Sequence, residues 1–194
     1  MNVQTKIDPV AEAFASETFV YFDIETIPCQ DESYLEALKR KVTAPATYKK
    51  QESIDKWLAE NRETAALEAM SKTSFDGGRG HVCTISWAKN DSPITVRHAK
   101  TIADERQVIS DFFDDLDNFH SETLVGHNIS GFDVGFLRKR AIVLGIKMPQ
   151  KGTFPRDPKP WTMADTMAMW AGGTNRVSMD NLCDILGIEG KDGF

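Results

Sequence analysis

Apolar residues fall along this chain in short blocks whose spacing is that of strands in some places and that of helices in others. The first block, residues 18–28 (TFVYFDIETIP), is a mostly apolar run that ends in two carboxylates, Asp23 and Glu25. Side chains alternate along a strand, so Asp23 and Glu25 point to the same side while Ile24 points away. Because the run is apolar on both faces, it predicts a central strand that is covered on both sides.

Residues 29–80 lose the strand pattern and predict a helical insertion after the first strand. Apolar residues recur at helical spacing within residues 34–38 and again from Ile54 to about Met70. A glycine-rich turn at residues 75–80 ends the insertion.

The remaining chain predicts alternating strands and helices. The pattern first predicts a hairpin at 81–99 and then an amphipathic helix that follows a capping box at Thr101 and Asp104 and includes Phe119. A short strand at 123–126, a helix that stops at Gly145 and a short strand or helix start at Asp165 come next. The last predicted helix runs from Ser178 to Gly187, with an inward face of Met179, Leu182, Cys183, Ile185 and Leu186. Together these elements predict an α/β fold, a mixed sheet flanked by helices in the order of a ribonuclease H-like fold.

Composition and charge fit one globular domain over residues 1–194 and narrow its partners. The chain has 194 residues, of which 41% are hydrophobic, and a net charge of -6. A broadly electrostatic nucleic-acid binder would be basic, so this chain would have to hold nucleic acid through metal ions and a local basic edge. The three cysteines form no C-x-x-C pair, and no run has the length of a signal peptide or a membrane span. We therefore expect a soluble, cytoplasmic protein without a membrane partner.

A third carboxylate, Asp133, follows the strand at 123–126 and stands near the start of a helix. If that strand lies beside the first one, Asp133 converges with Asp23 and Glu25 at the end of the sheet where α/β proteins place their chemistry. Oxygen ligands suit hard divalent cations such as Mg²⁺ or Mn²⁺, and two such ions about 4 Å apart clamp a phosphodiester. A D-x-E pair alone is common at a polar strand end, and the third acid is what turns it into a metal-site hypothesis.

Two stretches, FDIET at 22–26 and VGHNISGFDVGFLRKRA at 125–141, resemble the first two motifs of the DEDD superfamily of 3′–5′ exonucleases. The similarity is greatest to the predicted exonucleases related to the proofreading domain of family B DNA polymerases. The resemblance implies hydrolysis of phosphodiester bonds in DNA, with RNA as an alternative, by a two-metal mechanism.

The resemblance also implies roles for individual residues. Asp23, Glu25 and Asp133 would be the catalytic ligands of Mg²⁺ or Mn²⁺, and Glu25 would also hold the attacking water or the terminal 3′ group. Asn128 and Thr26 would contact the substrate, most simply a single-stranded 3′ end. For Asn128 the alternative is an Asx turn that caps the loop.

The third motif of the DEDD exonucleases, an Asp preceded by a Tyr or His on a late helix, has no counterpart after Gly187. Asp165 has no Tyr or His upstream and resembles the structural Asp of the strand that follows the second motif. Either the chain is truncated before the final helix of the family, which we expect, or a short protein has lost or replaced the fourth ligand. With three of four ligands, we expect weak metal binding and weak catalysis.

Basic residues follow Asp133 directly. Arg138, with its neighbours Lys139 and Arg140, either neutralises substrate phosphates or belongs to a solvated helix face. Both interpretations stay open at the level of the sequence.

The insertion carries further basic and aromatic residues. For residues 39–41 we expect a solvated helix face, and for Tyr48 and Trp57 we expect core packing rather than stacking on bases.

Three functions fit these observations. The first is the metal-dependent exonuclease. The second is a catalytically weak or inactive module on the same fold that binds nucleic acid or another protein, because the fourth carboxylate is not present. The third is a proofreading module that works with a polymerase or another replication or repair partner.

Overall fold

The computed structural model describes residues 18–118, 122–150, 154–155, 157, 159, 162–172 and 174–190. Its strands are β1 (Phe19–Ile27), β2 (His81–Lys89), β3 (Thr95–His98), β4 (Thr123–Gly126) and β5 (Ala164–Asp165). Its α-helices are α1 (Glu32–Lys41), α2 (Gln51–Ser71), α3 (Glu105–Asn118), α4 (Asp133–Leu144), α5 (Thr166–Ala171) and α6 (Met179–Leu186). Two short 3₁₀ turns, Lys72–Phe75 and Ile102–Asp104, complete the described elements.

The five strands form one mixed sheet in the order β3-β2-β1-β4-β5. β1 pairs antiparallel with β2, and β2 pairs antiparallel with β3 in the expected hairpin. β1 also pairs in parallel with β4, and β4 pairs in parallel with β5. The predicted α/β fold, a ribonuclease H-like mixed sheet flanked by helices, is therefore confirmed, and β1 is its central strand.

The core lies on one face of this sheet, beneath α3 and α4. Val20, Phe22 and Ile24 of β1 are buried there, and the ring of Phe22 stacks on that of Phe112 at 5.3 Å between centroids. The buried face of α3 follows the predicted three- and four-residue spacing, except that Phe119 lies outside the described residues.

The opposite face of β1 is open, which corrects the prediction of a strand covered on both sides. Tyr21 on this face is 46% exposed. Aromatic residues fit a half-buried sheet surface as well as a core, so an apolar run does not by itself distinguish the two.

The helical insertion appears where it was predicted. α1 and α2 pack against each other as a hairpin between β1 and β2, and the turn Lys72–Phe75 closes it. Asp31 caps α1 by accepting a hydrogen bond from the Ser33 N–H. Tyr48 is 40% exposed and Trp57 is only partly buried, so the expected core packing of this pair is wrong.

The last helix, α6, begins at the predicted Ser178 cap, but its inward face is smaller than predicted. Of its side chains only Leu182 is buried, whereas Ile185 and Leu186 are 52% and 51% exposed. Amphipathic spacing shows that a helix has an apolar face, and it does not identify what covers that face. None of the helices in the described part of the chain is both long and apolar enough to cross a membrane.

Candidate active site

The pairing of β1 with β4 brings the two acidic motifs together at one end of the sheet, beyond the carboxyl end of β4. β1 continues through Asp23 and Glu25, and β4 ends at Gly126, after which a loop leads into α4 at Asp133. A Cβ atom on Gly126 would lie 2.8 Å from the Phe22 carbonyl oxygen, so glycine permits this close approach of the two strands. The motifs therefore meet because the strands that carry them are parallel neighbours.

Asp133 is buried beside Asp23. The side chain of Asp133 is only 3% exposed, and its Oδ1 accepts a hydrogen bond of 3.3 Å from the Ile24 N–H. Burial and the negative charge of Asp23 together raise the pKa of Asp133 to about 7, and the more distant charge of Asp165 acts in the same direction. The two carboxylates are thus close enough to repel each other.

Glu25 lies on the same face of β1 as Asp23, with its side chain exposed. Among the residues that the structure describes, no three His, Cys, Asp or Glu side chains are gathered closely enough to hold a metal ion. The structure therefore brings Asp23 and Asp133 together and does not draw Glu25 into a three-acid cluster with them.

The pair fits a hard divalent cation. Both donors are carboxylates, and the pKa of Asp133 is raised first by burial and then by the negative charge of Asp23. Mg²⁺ keeps several of its waters and is commonly held by one or two carboxylates together with substrate phosphates. A cation at this position would offset the repulsion between the two carboxylates.

Asp165 organises the loop between β4 and α4. Its carboxylate, fully buried, accepts hydrogen bonds from the Asn128 N–H at 2.9 Å, from the Ser130 N–H at 3.0 Å and from the Ser130 hydroxyl. The same carboxylate caps α5. Burial alone would raise the pKa of Asp165, but these hydrogen bonds outweigh it and hold the pKa below its usual value. Asp165 thus has a structural role, as its resemblance to the structural Asp of the family suggested.

An open groove lies beside the acids on the uncovered face of the sheet. It has a volume of about 750 Å³ and extends from Asp23 and Tyr21 to Ile94 on one side and to His127 and Met179 on the other. A groove of this size accepts a small ligand or part of a chain.

Comparisons with known proteins agree with this geometry. The family described as predicted 3′–5′ exonucleases related to the exonuclease domain of family B DNA polymerases matches residues 79–194. The chain belongs to this family of predicted exonucleases. The match covers Asp133 and Asn128, whereas β1 with Asp23 and Glu25 lies before it.

Among solved structures, the chain is similar to the family B DNA polymerase from the hyperthermophilic archaeon Pyrobaculum calidifontis. The two share 19% sequence identity with a TM-score of 0.53, over 90% of this chain and 19% of the polymerase chain. The chain thus corresponds to about a fifth of that polymerase, and the likeness concerns the fold. No curated protein matches the chain.

The residues of the loop between β4 and α4 have well-defined structural contacts. Asn128 has a φ of 63°, and its carbonyl oxygen accepts from the N–H groups of Gly131 and Phe132, so its backbone forms the turn of the loop. The His127 Nε2 donates to the Val177 carbonyl at 2.8 Å, and the Nδ1 bonds the Thr166 hydroxyl at 3.0 Å. Both ring nitrogens of His127 thus have hydrogen-bond partners within the protein, and His127 has a structural role in the loop.

Two predicted substrate residues, Thr26 and Arg138, differ in their contacts within the described part of the chain. The hydroxyl of Thr26 donates to the Ser74 carbonyl at 2.8 Å and so ties the end of β1 to the insertion. Arg138 is partly exposed and has no hydrogen bond or ion pair with any residue that the structure describes. Its guanidinium keeps its donors for another ligand.

Arg140 fits neither of the two interpretations left open by the sequence, because it is buried inside the protein and paired with Glu105. It is 3% exposed and forms a two-pronged ion pair with Glu105, with Nε–Oε1 and Nη2–Oε2 distances of 2.7 and 2.6 Å. Glu105 also accepts from the Val82 N–H at 2.8 Å and contacts His81 Nδ1 at 3.0 Å. Burial would raise the pKa of Glu105, but these donors outweigh it and hold the pKa low.

The sequence contained a signal for this pair. Arg140 follows Leu137 by three positions and precedes Ala141, both on the buried stripe of α4. A cation on that stripe indicates a buried partner rather than a solvated face.

Proposed function

We propose that this chain is a metal-dependent 3′–5′ exonuclease that hydrolyses single-stranded DNA from its 3′ end, with RNA as an alternative substrate. The observation that carries the proposal is the buried Asp133 beside Asp23, brought together because β1 and β4, the strand that leads to Asp133, are parallel neighbours. Membership of a family of predicted 3′–5′ exonucleases supports the same reaction.

Asp23, Asp133 and Glu25 would hold Mg²⁺ or Mn²⁺. When bound, the metal supplies positive charge that stabilises the charge developing on the phosphodiester. The chain's own contribution is position: the Ile24 N–H fixes one oxygen of Asp133, and Asp165 holds the loop that leads to it. Glu25, exposed at the end of β1, would hold the attacking water or the terminal 3′ group.

Substrate contacts would come from three groups around the acids. Asn128 and Thr26 would contact the terminal nucleotide, and Arg138, whose side chain bonds none of the described residues, would meet a phosphate. In this arrangement Thr26 also keeps its hydrogen bond to Ser74, because a hydroxyl that donates one bond still accepts another.

The test compares a linear single strand, labelled at its 5′ end, with a closed circle of the same sequence. We expect Mg²⁺ or Mn²⁺ to support progressive shortening of the linear strand and to leave the circle intact. The Asp23→Ala variant should shorten neither. Cutting of the circle would indicate an endonuclease, and equal activity of the variant would contradict the proposed site.

A second candidate is a nucleic-acid-binding module that has lost catalysis. It is favoured by one observation, the lack of a three-acid cluster among the described residues. The same assay distinguishes the two functions, because a binding module retains the strand in a mobility shift and leaves its length unchanged.

A further inference from the structure

We propose that the tip of the helical insertion is a second contact surface for the single-stranded nucleic acid. The insertion tip comprises residues 39–56: the last turn of α1, the connector and the first residues of α2. The inference rests on the proposed function, since the strand at the tip is the upstream part of the strand whose 3′ end reaches Asp23 and Asp133.

Charge is concentrated at the insertion tip. It carries six basic residues against two acidic ones, in a chain whose net charge is -6. The six are Lys39, Arg40, Lys41, Lys49, Lys50 and Lys56. Lys39 is paired, with Nζ distances of 3.0 Å to Glu36 and 2.7 Å to Glu63. The other five are exposed, and none of their side chains bonds a residue within the described part of the chain.

Helix stability explains only part of this charge. Residues 39–41 lie in the last turn of α1, where the helix dipole favours cations. Lys49 and Lys50 precede α2, at the positive end of its dipole, where cations are unfavourable. Lys50 occupies the N-cap position and makes no side-chain capping bond. A bound anionic ligand would compensate the unfavourable interaction of these two lysines with the helix dipole.

An aromatic pair, formed by Tyr48 of the tip and Trp57 directly after it, lies beside these lysines. The rings of Tyr48 and Trp57 are 6.4 Å apart between centroids, and Tyr48 is 40% exposed. Exposed aromatic rings interleaved with unpaired lysines are the combination that binds single strands, because rings stack on bases while lysines meet phosphates. The tip therefore fits a single-stranded nucleic acid better than a structureless polyanion.

The base of the insertion adjoins the candidate active site. The Thr26 hydroxyl bonds Ser74, and the ring of Phe75 lies 6.4 Å from that of Phe132, the residue before Asp133. From this base α2 extends 21 residues, or about 30 Å at 1.5 Å per residue. At the duplex spacing of about 3.4 Å per nucleotide, roughly nine nucleotides cover the length of α2, and an extended single strand covers it with fewer. A strand of four nucleotides is too short to reach from the acids to the tip, whereas one of twenty is long enough.

The experiment measures strand binding in EDTA, so that hydrolysis does not enter. Fluorescence anisotropy compares a strand of twenty nucleotides with one of four, for the wild type and for the Lys49→Ala/Lys50→Ala variant. We expect the variant to bind the long strand about tenfold more weakly and the short strand unchanged. The slope of log affinity against log salt should fall by about 0.7 for each lost phosphate contact.

The matched control is Lys100→Ala/Lys147→Ala, which removes two exposed lysines outside the insertion. This control should bind both strands like the wild type, and a Tyr48→Ala variant should weaken only the long strand. The inference is overturned if the tip variant binds the long strand as the wild type does, or if tip and control weaken it equally. Failure of the exonuclease proposal is a separate result, namely a wild-type protein that hydrolyses neither strand when metal is present.

Discussion

Asp133 carries a carboxylate into the protein interior beside a second carboxylate, that of Asp23. Its pKa is raised to about 7, against roughly 3.9 in an unfolded chain. The folded protein therefore holds this proton more tightly than the unfolded chain does. The consequence for the metal-free protein is a loss of stability as pH rises from about 4 to about 7, by up to about 4 kcal/mol.

The Asp133→Asn variant should remove this pH dependence, because the amide stays neutral. In EDTA, the variant should gain stability over the wild type between pH 5 and pH 8, as measured by urea unfolding. Adding Mg²⁺ at pH 8 should then stabilise the wild type and leave the variant unchanged, since only the wild type offers both carboxylates. Asp114→Asn, on the exposed side of α3, is the control. A difference between variant and wild type that is the same at both pH values would contradict the account.

The sequence predicts the positions of the acids of the site better than it predicts the surroundings of the neighbouring arginines. Asp23 lies within β1, and Asp133 follows β4 at the start of α4, so their meeting follows once the two strands are neighbours. Arg140 belongs to the same basic run as Arg138, yet one is buried and the other partly exposed. Adjacent positions on a helix point in different directions, so a run of charges in the sequence has no single role.

At the scale of elements, the Glu105–Arg140 pair joins the start of α3 to the middle of α4, which begins at Asp133. The pair is almost fully buried, so removing one partner leaves the other charge without compensation. Glu105→Gln should therefore destabilise the protein by about 3–5 kcal/mol. The exposed pair Lys139–Asp76 provides the comparison, and Asp76→Asn should cost less than about 1 kcal/mol.

Urea unfolding at pH 7 measures both variants. Because the folded pKa of Glu105 is lowered, its stabilisation is complete above the unfolded value of about 4.3 and is lost as pH falls through the folded pKa. The difference in the free energy of unfolding between the wild type and Glu105→Gln should accordingly become smaller at acidic pH. Equal costs for the buried and the exposed substitution would show that the pair does not anchor α4.

The positions of helices and strands along the chain were the most predictable feature of the fold. The burial of their side chains was the least predictable. The spacing of apolar residues located β1, the insertion, the hairpin and α3 because each repeats a clear period. The same spacing assigned Ile185 and Leu186 to the interior, whereas both are half exposed. Periodicity identifies the apolar side of an element, but the neighbour that covers it depends on contacts distant in sequence.

At the scale of the whole molecule, one sheet holds the site together. Its order, β3-β2-β1-β4-β5, sets the two motifs side by side although 109 residues separate Ile24 from Asp133. The insertion leaves this sheet at the end of β1 and returns at the start of β2, at the same end of the sheet. The acids and the base of the insertion thus lie around one end of the sheet.

The most direct test is the rate of nucleoside monophosphate release from a single-stranded 3′ end as Mg²⁺ is increased, for the wild type and Asp133→Asn. The account predicts wild-type release that saturates with Mg²⁺, stops in EDTA and falls at least about 100-fold in the variant, more than loss of a residue that only orients a metal ligand would cause. Release that continues in EDTA, or that Asp133→Asn leaves undiminished, would contradict it.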